Sequence, residues 1–194
     1  MIPGFSFKRN KNAARKTLMR WFFYSLILLF FYTVMSGGFF KRWQPVLIIP
    51  LAIAVAIHER EFGSAIFGIF CGFMLDIACG NLFGMSSVWL MPCAVAASLL
   101  VMNLMRANFI NHAWMCTVTC LIMAFMEYFF KYIIWEHPHS DIYLRMYILP
   151  SYFSAILLSP AVYFLVKRVS LRFRDKETGQ FAGMLDEPEK EDKI

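Results

Sequence analysis

The chain has 194 residues, of which 59% are hydrophobic and 18% aromatic but only 16% charged. A soluble domain has about 45–50% apolar and about 25% charged residues, so this composition excludes a disordered chain, a collagen-like chain and an ordinary water-soluble globule. The net charge is +6. The basic residues flank the apolar runs rather than covering one face of a soluble domain, so we predict no nucleic-acid partner. The class that remains is an all-α polytopic membrane protein.

Apolar runs predict a compact bundle of six membrane-spanning helices, or of five if the short second run does not cross. A hydrocarbon core of about 30 Å needs about 20 residues at a rise of about 1.5 Å per residue. In chain order the runs are 21–40, 43–57, 62–79, 87–105, 113–134 and 146–166. The second and third runs are short or closely spaced, and we expect them to form a tight hairpin that turns at residues 58–61.

Charge patterning divides the chain into a basic cytoplasmic leader at 1–20, the helical bundle at 21–168 and a disordered cytoplasmic tail at 169–194. The first run is longer than the h-region of a signal peptide, about 7–15 residues, so it is interpreted as an uncleaved span. Placing both termini in the cytoplasm puts 15 of the 19 basic residues inside, as the positive-inside rule requires. The basic flanks are expected to bind anionic lipid at the cytoplasmic face.

A stripe of small residues in the third run ends in a carboxylate. Ser64, Gly68, Gly72 and Asp76 are spaced by four and therefore share one narrow face of a helix. Small side chains allow another helix to approach closely, and an acid in the membrane should face protein or water. One interpretation is a partner-binding or ligand-facing groove that also includes Gly84; the other is packing within the chain, with Asp76 capped or paired locally.

A second acidic residue within a run is Glu127, four residues before Lys131. This order favours an intrahelical ion pair that lets Lys131 extend to the membrane surface. A sharper hypothesis pairs Asp76 with Glu127 across the bundle as a shared-proton or cation site.

The five cysteines all lie in the runs, and their odd number does not indicate a disulfide framework. Cys116 and Cys120 are one helical turn apart and are interpreted as small packing residues, and the four histidines lie near the ends of runs. No nucleotide-binding, metalloprotease or serine-hydrolase motif is present in the sequence. We therefore predict a protein that is not an enzyme and that holds no metal and no cofactor.

The sequence GSAIFGIFCGFMLD at 63–76, followed by GMSS at 84–87, resembles the signature of the MreD family of rod-shape-determining proteins. In that family a G-x-x-x-G stretch, three hydrophobic residues and an aspartate precede a glycine that opens the next span. The resemblance implies a non-enzymatic component of the bacterial inner membrane. Such proteins act with MreC and the MreB filament, alongside RodA and its penicillin-binding transpeptidase, in lateral peptidoglycan synthesis.

The MreD family is in turn similar in fold to substrate-binding subunits of energy-coupling-factor transporters, which gives an alternative function. A vitamin-type ligand would then bind near the outer face, between the third and fifth runs. Such a pocket needs several converging polar groups, and the sequence offers Asp76, Asn81 and Glu127. A lipid-handling protein is a third alternative that the aromatic content permits. The long basic leader and the acidic tail depart from the family pattern.

Overall fold

The structure, a computed structural model, describes residues 11–37, 45–104, 108–130, 146 and 148–172. Within this part the regular elements are helices: α1 (Lys11–Ser36), α2 (Ile48–His58), α3 (Glu61–Cys79), α4 (Met85–Asn103), α5 (Phe109–Tyr128) and α6 (Leu149–Arg172). All except α2 are long and apolar enough to cross a membrane, by length and composition. The prediction of an all-α multi-pass membrane protein is confirmed at this level, with five such helices.

The second run forms an enclosed helix rather than a sixth long span. α2 has 11 residues and is about 16 Å long, against a hydrocarbon core of about 30 Å. Every residue from 48 to 57 is buried, as expected for a helix that is apolar on all sides. α2 ends at His58 and α3 begins at Glu61, so the turn predicted at residues 58–61 is confirmed.

The helical boundaries differ from the prediction at both ends of the bundle. α1 begins at Lys11 and α6 continues to Arg172, so the second half of the predicted leader and the first four residues of the predicted tail are helical. Lysine, arginine and alanine are good helix formers, and long basic side chains can extend from a membrane helix to the surface. The predicted ends at 40, 105 and 134, and the tail from 173, lie outside the described residues.

Contacts at one end of the bundle, here called the Arg20 end, show how the chain is arranged. Nη2 of Arg20 in α1 donates to Glu59 between α2 and α3, at 3.0 Å, and Oγ of Ser98 in α4 donates to the Glu59 carbonyl, also at 3.0 Å. Tyr24 of α1 lies beside Ser170 of α6. The N-terminal half of α1 and the C-terminal end of α6 therefore lie at the same end of the bundle.

Candidate functional site

The stripe of small residues in α3 packs against α4. Oγ of Ser64 donates to the Ala94 carbonyl at 2.8 Å, and Ser64 is 1% exposed. A Cβ added to Gly68 would lie 3.1 Å from Cβ of Ala94, and one added to Gly72 would lie 2.3 Å from Cα of Ser87. The missing side chains of Gly68 and Gly72 therefore leave the space that the α4 backbone occupies.

The carboxylate at the end of the stripe caps α4. Asp76 is 1% exposed; its Oδ2 accepts from the N–H of Gly84 at 2.8 Å and its Oδ1 from the N–H of Ser86 at 3.1 Å. The first N–H groups of a helix have no partner within the helix and favour negative charge. Gly84 has a φ of +92°, a conformation that glycine adopts without strain. Asp76, although it belongs to α3, therefore caps the N-terminus of α4.

These contacts are those of the second interpretation of the stripe, packing within the chain. Ser64, Gly68, Gly72 and Asp76 all face α4 or its first turn, so a partner could reach them only by displacing α4. Binding of a partner by these residues and Gly84 stays a prediction. The outer face of α3 is different, because its exposed side chains after Glu61 are large and apolar: Phe62, Phe70 and Ile77.

Replacing Asp76 with asparagine should lower the free energy of unfolding by about 1–2 kcal/mol, because the amide offers one acceptor oxygen and no charge to the start of α4. Glu61→Gln is the matched control, since Glu61 is an exposed acid in the first turn of α3. Unfolding by sodium dodecyl sulfate in maltoside micelles, followed by circular dichroism, measures both. Equal stability of the two variants would contradict the capping role.

The second carboxylate of the sequence analysis has a partner on another helix. Oη of Tyr152 in α6 donates to Oε2 of Glu127 in α5 at 2.9 Å. Lys131 lies outside the described residues, so the Glu127–Lys131 pair stays a prediction. Because Asp76 binds the start of α4 and Glu127 binds Tyr152, these contacts give no support to a site shared by the two carboxylates.

A buried ion pair at the Arg20 end was not predicted from the sequence. Nε of Arg20 lies 2.7 Å from Oε1 of Glu59, and both side chains are less than a tenth exposed. Burial raises the pKa of Glu59, while the Arg20 charge and the Tyr24 hydroxyl partly oppose that rise. The sequence indicated this pair only through Glu59, an acid in a two-residue link between apolar helices. Its partner Arg20 is 39 residues away and could not be identified from spacing.

A second feature that the sequence analysis missed lies on α5. His112 is fully buried, and its Nδ1 lies 3.3 Å from Oγ of Ser159 in α6. The sequence could have indicated this feature through the spacing of four between His112, Cys116 and Cys120, which places them on one face of a helix. In the part of the chain that the structure describes, no group of three or more histidine, cysteine or acidic side chains could hold a metal ion.

Comparisons with family models, with curated proteins and with solved structures found no match to this chain.

Proposed function

We propose that the chain is a non-enzymatic, MreD-like component of the bacterial cell-shape machinery. It would lie in the cytoplasmic membrane with both termini in the cytoplasm and bind an MreC-like protein in support of lateral peptidoglycan synthesis. One observation carries this proposal: Gly68, Gly72, Asp76 and Gly84, the specific residues of the resemblance, act together in one α3–α4 hairpin.

The hairpin suggests how a partner would bind. Because the small residues are used internally, the surface that α3 presents outward beyond Glu61 includes Phe62, Phe70 and Ile77, each about half exposed or more. Helices associate in lipid through van der Waals packing and hydrogen bonds rather than through hydrophobic burial. This apolar surface is therefore a suitable one for the single transmembrane helix of an MreC-like partner, with MreB and the RodA transpeptidase as more distant members of the assembly.

The charge distribution supports the proposed orientation. Arg15 and Lys16 of α1 and Arg168 and Arg172 of α6 are exposed at the Arg20 end. Basic residues near an anionic membrane surface contribute about 1 kcal/mol each, and they accumulate on the cytoplasmic side. The Arg20 end is therefore proposed to face the cytoplasm and anionic lipid.

The vitamin-transporter alternative gains no support from the site. Two of its three candidate ligand-binding groups, Asp76 and Glu127, already accept hydrogen bonds from Gly84 and Tyr152.

Photocrosslinking in a rod-shaped host tests the proposal. With p-benzoylphenylalanine in place of Phe70, irradiation should join the chain to a single-span protein with an extracytoplasmic coiled coil, identified by mass spectrometry. The matched control carries the same probe at Phe164, an exposed residue of α6, and should give little of this product. Depletion of the chain should also turn rods into spheres. Crosslinking to ABC-type ATPases, or rod shape retained after depletion, would contradict the proposal.

A further inference from the structure

The start of α1 projects from the Arg20 end of the bundle. Arg20 pairs with Glu59 in the α2–α3 link, and a Cβ added to Gly63, in the first turn of α3, would lie 3.1 Å from the Trp21 ring. These contacts place residues 20 and 21 of α1 level with the beginning of α3. Because α1 starts at Lys11, nine further residues extend beyond that level, over about 13 Å.

The end of α6 projects by a similar distance. The Tyr163 ring lies 5.8 Å from the ring of His58, the last residue of α2. The Phe164 ring lies 6.0 Å from the ring of Phe109, the first residue of α5. After Phe164, α6 continues for eight residues to Arg172, over about 12 Å. Since α1 and α6 also contact each other, the two projecting ends are neighbours.

We call these two projecting ends, residues 11–19 of α1 and 165–172 of α6, the basic fork. Neither stretch contains an acidic residue. Four of its basic side chains are exposed: Arg15, Lys16, Arg168 and Arg172. A fifth, Lys167, is half-buried, and its Nζ lies 5.7 Å from the centre of the Tyr163 ring. The fork therefore presents a concentrated positive charge.

The space between the two ends of the fork lies over protein rather than over lipid. α1 contacts the α2–α3 link through Arg20, and α6 contacts the end of α2 through Tyr163. Every residue of α2 from 48 to 57 is buried inside the bundle, so this space faces away from the hydrocarbon core. Lipid headgroups reach the fork at its membrane edge, whereas an acidic polypeptide can enter from the other side.

The chain itself contains an acidic segment, residues 186–192, with five acidic residues and one lysine. The 13 residues that connect it to Arg172 contain two acidic and two basic residues, so the charge is confined to the far end of the connection. Those 13 residues can reach at most about 45 Å, while two helices side by side are about 20–24 Å wide. The connection starts at the tip of the fork and can reach all of it.

We propose that the acidic segment 186–192 binds the basic fork of its own chain and competes there with anionic lipid. Exposed ion pairs are individually weak, but a short linker makes the binding intramolecular, with an effective concentration on the order of millimolar. Basic residues gain comparable energy near an anionic membrane surface, so the membrane composition decides which occupant prevails. The competition rests on the anionic-lipid binding proposed for the Arg20 end, and not on an MreC-like partner.

Photocrosslinking within the full chain tests the contact. The probe p-benzoylphenylalanine replaces Leu18, an exposed residue of α1 on the opposite side of the fork from the start of the connection, in phosphatidylcholine nanodiscs. Irradiation should join position 18 to residues 186–194, identified by mass spectrometry of the digested chain, and added phosphatidylglycerol should replace this product with lipid adducts. The same probe at Leu26, exposed two turns further along α1, should give no such product. Lipid adducts alone from position 18 without anionic lipid would overturn the proposal.

Variants of the acidic segment show whether charge holds the contact. Replacing its five acids with the matching amides, as Asp186→Asn, Glu187→Gln, Glu189→Gln, Glu191→Gln and Asp192→Asn, should lower the crosslinking yield about tenfold. Lys190→Gln with Lys193→Gln is the matched control, which keeps all five acids and should keep the yield. High salt should also lower the yield of the unmodified segment, because it screens exposed charges. A yield unchanged by neutralisation would overturn the proposal, whatever the result of the Phe70 crosslinking.

Discussion

Replacing Gly72 with alanine is expected to lower the free energy of unfolding by about 3 kcal/mol, the upper range for overpacking. The new Cβ would lie 2.3 Å from Cα and 2.5 Å from N of Ser87, so the α4 backbone must move away from α3. That movement would also pull the N–H groups of Gly84 and Ser86 from Asp76. Unfolding by sodium dodecyl sulfate in maltoside micelles, followed by circular dichroism, measures the loss.

Gly68→Ala is the graded control for this result. Its Cβ would lie 3.1 Å from Cβ of Ala94 and 3.2 Å from Cα of Met91, which requires a shift of only a few tenths of an ångström. Its loss should be about 1 kcal/mol. If Gly72→Ala were as stable as Gly68→Ala, the close contact between α3 and α4 would not be the reason for a glycine at 72.

Replacing Arg20 with methionine should cost about 3–5 kcal/mol near neutral pH, because the substitution leaves Glu59 as a buried charge without its cation. The pKa of Glu59 is already raised by burial, and Arg20 opposes that rise, so removing Arg20 raises it further. A carboxyl with a raised folded-state pKa stabilises the fold below its ordinary pKa, and stability falls as pH rises towards the folded value. The variant should therefore be less stable at about pH 8 than at about pH 5.

The double variant Arg20→Met with Glu59→Gln distinguishes the effect of an unpaired Glu59 charge from the loss of other contacts of Arg20. Removing both charges from a buried pair is often close to neutral, so the double variant should recover most of the lost stability and lose the added pH dependence. Chemical unfolding of the wild type and both variants at the two pH values provides the measurement. A double variant as unstable as Arg20→Met alone, or an Arg20→Met variant indifferent to pH, would contradict the role of this ion pair.

The fold class and most helices could be predicted because they depend on local properties. Apolar length is nearly sufficient to locate α3, α4, α5 and α6 in lipid, and the acid-rich link at 58–61 was a sufficient signal for a turn. Whether α2 crosses the membrane was harder to predict, because a short apolar run is compatible both with a membrane span and with an enclosed core helix. The helix boundaries at Lys11 and Arg172 were missed because basic side chains end an apolar run without ending a helix.

The partners of the polar residues could not be predicted, because they lie far apart in the chain. A stripe from Ser64 to Asp76 indicates that something packs closely on α3, but not whether it is α4 or another protein. The same holds for Arg20 with Glu59 and for His112 with Ser159, whose pairing depends on which helices are neighbours. Local spacing on α5 nevertheless placed His112, Cys116 and Cys120 on one face of a helix.

The enclosure of α2 has a consequence for how the chain is made. A segment of 11 residues, about 16 Å long, is too short to span a hydrocarbon core of about 30 Å by itself before its neighbours arrive. It should therefore leave the translocon together with α3, as one unit joined through Glu59 and Arg60. The helices α2 and α3 would then insert together rather than one at a time. The ion pair between Glu59 and Arg20 would join them to α1, the helix inserted first.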